Sequence, residues 1–110
     1  MMQAKRAVSL MLGAALLVSS SSWPAETAEV VIRDYKFEPA ELQIKAGTTV
    51  TWINREKRAS HSVLFTGAAG FESERLFPGE SWQRTFDKPG VYPYTCGPHP
   101  EMRGRLKVIE

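Results

Sequence analysis

The sequence predicts an all-β fold, an antiparallel Greek-key β-sandwich, and three observations carry that expectation. Apolar and polar residues alternate with a period of two through several short segments. Turn-forming stretches, Lys45-Ala46-Gly47, Pro78-Gly79 and Lys88-Pro89-Gly90, punctuate those segments. Beyond the N-terminal leader, no stretch repeats its apolar residues with a helical period.

Each element follows from its residues. "EVVIRDYKF" (29–37) is rich in β-branched and aromatic side chains and reads as one strand. "ELQIKAG" (41–47) places Leu42 and Ile44 on one face and Glu41, Gln43 and Lys45 on the other. "TTVTWIN" (48–54) points Val50 and Trp52 the same way. "HSVLF" (61–65), "SWQRTF" (81–86), "VYPYT" (91–95) and "GRLKVIE" (104–110) complete the set. About seven short strands with frequent turns suit two packed sheets. The segment 67–80, "GAAGFESERLFPGE", is the least regular and is expected to hold a long loop or a short helical turn.

The chain of 110 residues has room for one domain. Its first 25 residues have the layout of a secretory signal peptide. Lys5 and Arg6 precede an apolar run from Ala7 to Val18, and a Ser-rich stretch follows. Cleavage is expected between residues 22 and 25, with Ser20-x-Ser22 the best small-residue pattern. A retained anchor or lipoprotein-like tether is the competing reading, but the run is short of the ~20 apolar residues that span a bilayer. The expected mature domain is 26–110, located in the periplasm, with no stable membrane insertion. Whole-chain Lys and Arg number 14 against 12 Asp and Glu. Removing Lys5 and Arg6 with the leader leaves 12 against 12, a net charge of zero. No basic cluster with interleaved aromatics points to nucleic acid.

Export normally implies an oxidising compartment in which cysteines pair. Cys96 is the only cysteine, so no disulfide can form within the chain. It opens the segment Cys96-Gly97-Pro98-His99-Pro100-Glu101-Met102, in which two prolines stiffen the connection between two predicted strands. Taken singly, Cys96 reads equally well as a buried core thiol, His99 as an ordinary loop residue and Met102 as core filler. Together with His61, however, these residues include every Cys and His of the sequence. A thiolate, two imidazoles and a thioether form a soft-to-borderline donor set that suits copper and not magnesium, calcium or manganese. His61, Cys96 and His99 would make a trigonal set with Met102 as a weak axial ligand, the blue-copper arrangement used for electron transfer. Structural zinc prefers four Cys or His ligands and does not use Met, although zinc can occupy such a site adventitiously.

Three stretches also resemble the cupredoxins. "FEPAELQIKAGTTVTWIN" resembles the Phe-x-Pro entry and the Gly-x-Thr-Val-x-Trp-x-Asn strand of plastocyanin-like domains. His61 leads into "HSVLF", and "FPGESWQRTFDKPGVYPYTCGPHPEMRGRLKVIE" carries the short Cys-x2-His-x2-Met spacing seen in one branch of the family. The resemblance spans roughly residues 29 to 110. It implies a type 1 copper protein, with one copper per chain on His61, Cys96, His99 and Met102, that shuttles single electrons in the bacterial periplasm. Three positions depart from the family pattern. Ser62 stands where Asn is usual, Gly97 where Thr or Ser is common, and Glu101 where the short-loop relatives tend to carry an apolar residue.

The function expected is therefore electron transfer by a monomer, between redox partners such as a c-type cytochrome or a periplasmic dehydrogenase. A periplasmic copper-binding or delivery protein without a shuttle role is the alternative. The chain is not expected to be an enzyme, because four protein ligands leave the metal no open position for substrate. His61 is expected to be the buried imidazole and His99 the one near the surface. With Pro98 lacking an N–H, the Ser62 N–H is the expected backbone donor to the Cys96 sulfur.

Overall fold

The computed structural model describes residues 26–67 and 70–110. The expected signal peptide lies outside the described residues. Among those residues there are nine strands and no helix. In chain order they are β1 (Thr27–Arg33), β2 (Lys36–Glu38), β3 (Glu41–Lys45), β4 (Thr48–Asn54), β5 (Leu64–Phe65), β6 (Phe71–Glu72), β7 (Ser81–Phe86), β8 (Gly90–Thr95) and β9 (Arg103–Ile109).

The strands form two sheets, ordered β2-β1-β4-β7 and β3-β9-β8-β5-β6. The all-β sandwich is as expected, but the sheets are mixed: β1 pairs β4 and β9 pairs β3 in parallel. The path of the chain produces this. After β2 it leaves one sheet, runs as β3 along the edge of the other, and returns through the Lys45–Gly47 turn as β4. A strand that returns by way of the opposite sheet can lie alongside its predecessor in the same direction. Gly47 supplies the turn with φ 94°, which a side chain would resist. The flanking amides of Ala46 and Gly47 bond across to Ile109 O (2.6 Å) and Phe86 O (2.7 Å), one in each sheet.

The period-two pattern does the sorting. β4 buries Thr48, Val50, Trp52 and Asn54, and β9 buries Gly104, Leu106 and Val108. Trp52 lies at the centre, with ring centroids of Tyr94 at 5.5 Å, Trp82 at 5.3 Å and Phe65 at 5.9 Å. Burying side chains of this size stabilises by roughly 1.5–3 kcal/mol each, so this aromatic cluster contributes substantially to the core between the sheets.

Three elements differ from the sequence expectation. The segment 29–37 is a hairpin, broken by Asp34 and Tyr35, which have φ 56° and 57°. No glycine or asparagine marks that turn, so the sequence lacks its usual sign. The left-handed conformation costs about 1–2 kcal/mol for a bulky residue such as Tyr35, and less for Asp34. "HSVLF" contributes only Leu64–Phe65 as strand, with His61 in an isolated bridge to Leu76. The irregular segment supplies the short strand β6 and that bridge in place of a helical turn.

Candidate metal centre

Strand pairing brings His61 to Cys96 although 35 residues separate them. β5 and β8 are antiparallel, with Leu64 opposite Thr95 and Phe65 opposite Tyr94. Residues just before Leu64 therefore lie beside residues just after Thr95. The Ser62 N–H donates to Cys96 Sγ at 3.4 Å, as expected from the sequence. The loop after β8 closes on itself: Cys96 N–H bonds to Met102 O (3.1 Å) and Met102 N–H to His99 O (2.9 Å). Pro98 and Pro100 lie inside that closed loop and fix its φ angles.

The result is a tight triangle of donor atoms. His61 Nδ1 lies 3.5 Å from Cys96 Sγ, His99 Nδ1 lies 3.6 Å from Cys96 Sγ, and the two Nδ1 atoms are 3.2 Å apart. A point equidistant from atoms so spaced lies about 2 Å from each, the length of a metal–imidazole bond. His61 and Cys96 are fully buried and Met102 is buried, while His99 is partly exposed, matching the roles expected for the two imidazoles. Burial pushes the Cys96 thiol pKa up. The Ser62 and His99 backbone N–H groups and the Arg75 charge oppose that rise, and Glu101 adds to it. Of the two amides, Ser62 alone is in hydrogen-bonding geometry. Metal binding requires the thiolate, so it must displace this proton.

Sequence reasoning missed the residues that hold His61. Glu56 Oε2 lies 2.9 Å from His61 Nε2, the nitrogen turned away from the triangle, and also accepts the Tyr35 N–H at 2.8 Å. A carboxylate on the outer nitrogen sets ring orientation and raises the basicity of the inner one. Burial works to raise the Glu56 pKa, but hydrogen bonds from the Tyr35 amide and His61 outweigh it, and the pKa falls below its ordinary 4.5. Asn54, fully buried at the end of β4, locks the intervening loop. Its Nδ2 donates to the carbonyls of Ala59 (3.0 Å) and Leu76 (2.9 Å), and its Oδ1 accepts the Glu56 N–H (2.9 Å). The sequence signal available was a polar residue at an inward position ending β4, seven residues before His61.

Ser62 and Gly97 fall on one cluster. Ser62 Oγ accepts the Gly97 N–H at 3.0 Å and donates its proton to Glu72 Oε2 at 2.7 Å. Ser62 therefore ties the ligand-bearing loop to the His61 segment and to β6 together. Glu101 is exposed on the ligand loop.

The donor set tests well against copper: two imidazoles and one thiolate offer atoms within 4.8 Å of one another, and a buried methionine ends the loop that carries Cys96 and His99. Comparison with known proteins agrees. The sequence pattern of the family described as copper binding proteins, plastocyanin/azurin family, matches residues 25–109. The chain belongs to that family, the cupredoxins. Its relatives include amicyanin-alpha of Methylorubrum extorquens, 38% identical over 101 residues, which cover 88% of this chain and 84% of that protein. Amicyanin of Paracoccus denitrificans is 42% identical over 89 residues, covering 76% and 67%. Among solved structures, a Cu(I) form of a methionine-to-glutamine variant of amicyanin superposes with a TM-score of 0.71 at 36% identity, covering 74% of this chain and 81% of that one. A purple cupredoxin from Nitrosopumilus maritimus gives 0.69 at 30% identity, covering 74% and 98%.

Proposed function

We propose that this chain is an exported type 1 copper protein, monomeric in action, that carries single electrons between redox partners in the periplasm. His61, Cys96, His99 and Met102 are the residues that would hold the copper. The observation that supports this most is the donor triangle with edges of 3.2–3.6 Å, already spaced for a metal. Amicyanin relatives at up to 42% identity support it further.

Copper supplies a one-electron couple when bound. The chain's own residues do the rest. The sandwich and the proline-stiffened loop hold the donor atoms in one arrangement, which limits rearrangement between the two oxidation states. Glu56 and Asn54 keep His61 oriented from behind. The single thiolate hydrogen bond from Ser62 leaves electron density on sulfur, which favours Cu(II) and lowers the potential. His99, the partly exposed imidazole, faces the side from which partners approach. With four side chains around the metal, no place remains for a substrate, so the role is carriage and not catalysis.

The test is to mix the copper-loaded, oxidised protein with a reduced c-type cytochrome and follow both chromophores. The carrier reading predicts one electron taken up per chain while copper stays bound. Absence of exchange, together with loss of copper to an apo-acceptor, would establish the delivery role instead.

A further inference from the structure

Tyr35 combines an unfavourable backbone, high exposure and contact with both histidines. With Asp34 it forms the two-residue connection between β1 and β2, at φ 56° and 57°. Such turns ordinarily carry glycine or asparagine, because a bulky side chain at positive φ is strained. The core does not account for the choice, since Tyr35 is 48% exposed and stands outside the hydrophobic cluster. Its contacts lie at the metal centre. The ring meets His99 edge to face at 4.8 Å and 80°, and His61 at 5.3 Å and 89°. Its N–H donates to Glu56 Oε2, the oxygen that also meets His61 Nε2. One carboxylate oxygen thus ties the hairpin tip and the buried imidazole to the same point.

We propose that Tyr35 is a positioning residue of the metal centre. Held over both imidazoles by the hairpin, its ring fixes their planes before a metal arrives and shields the exposed side of His99. Backbone strain persists where the surroundings over-determine it, and here the contacts that do so are those to Glu56 and the two histidines. Hairpin stability argues against a tyrosine at this position, because glycine adopts φ 57° without cost. The inference rests on the ligand set proposed above.

The experiment compares the wild-type protein with Tyr35→Gly and Tyr35→Phe in three measurements. These are the melting temperature of the copper-free protein, the ring motion of His61 and His99 by NMR in that same form, and the rate at which an aromatic diimine chelator removes Cu(I) from the loaded protein. Tyr35→Gly is expected to melt at the same or a higher temperature, with faster histidine ring motion. Loss of the two aromatic contacts should speed copper removal on the order of tenfold. Tyr35→Phe is expected to match the wild type in all three. Unchanged ring motion and copper release in Tyr35→Gly would overturn the proposal, and a lower melting temperature with both unchanged would reduce Tyr35 to a hairpin residue. A wild-type protein that binds no copper would remove the ligand reading, while the copper-free ring motion would still decide the role of Tyr35.

Discussion

The carboxylate of Glu72 stands in the space that a side chain at Gly97 would need. A Cβ on Gly97 would fall within contact distance of Glu72 Oε2 and 2.7 Å from Ser62 Oγ. The glycine after the ligand cysteine is thus matched to a carboxylate on a different strand, and Ser62 bonds to both. Ser62 and Gly97 thus form one unit with Glu72.

That unit predicts a coupling. The Glu72 carboxylate is the far end of a flexible side chain and can be displaced, and the buried Ser62 Oγ must shift as well, so Gly97→Ala should lose the Ser62–Glu72 hydrogen bond at a cost of about 1 kcal/mol, with the Ser62–Gly97 bond disturbed besides. In a Glu72→Ala background the same substitution should cost less, with a coupling energy of roughly 0.5–1 kcal/mol. Urea denaturation of the four copper-free proteins measures it, and strictly additive effects would show that Gly97 and Glu72 are not linked.

Gly104 should respond more severely. It lies opposite Tyr94 in the β8–β9 register, and a Cβ there would enter the buried Tyr94 ring. Tyr94 is wedged against Trp52, Phe37 and Phe65, so shifting its ring disturbs the aromatic core. Gly104→Ala should therefore lose about 1–3 kcal/mol through overpacking, more than Gly97→Ala. Equal losses for the two variants in the same denaturation series would contradict this ranking.

Glu56 carries a pH dependence with a defined sign. Its pKa is lowered in the folded chain, so its contribution to stability is present above the ordinary 4.5 and is lost as pH falls through the lowered folded value. Glu56→Gln should flatten the acid limb of a melting-temperature profile recorded on the copper-free protein. Glu56→Ala removes the His61 brace altogether and should weaken copper binding by about 10–100-fold. Competition with a chelator of known affinity reads this second effect, and an unchanged affinity would exclude Glu56 as the orienting group.

Asn54→Ala should release the loop before His61. The Ala59 carbonyl and the Glu56 amide would lose this partner in a part-buried setting, while the Leu76 carbonyl keeps the His61 N–H; each group left unsatisfied costs about 1–3 kcal/mol. Hydrogen exchange at Glu56 should accelerate more than at Val50, which lies within β4. Equal acceleration at both sites would indicate general destabilisation and no local role.

Much of this was legible in the sequence because it rests on alternation and rarity. Val50 and Trp52, and likewise Leu106 and Val108, recur at a spacing of two, so their inward faces could be read directly. The donor set could be read because one cysteine and two histidines leave few combinations. Features that depend on three-dimensional coincidence could not. The Asp34–Tyr35 turn carries no glycine, Glu56 and Glu72 look like any surface carboxylate, and the parallel pairings follow from a sheet switch with no residue signature. The reason for Gly97 appears only when Glu72 and Ser62 are placed beside it.

The central claim, that His61, Cys96, His99 and Met102 hold copper as a type 1 site, is tested most directly by adding Cu(II) to the purified domain and recording its visible spectrum. The account predicts an intense blue thiolate-to-copper absorption that reaches its limit at one copper per chain and is abolished in Cys96→Ala. A colourless complex, or a band that persists in Cys96→Ala, would contradict it.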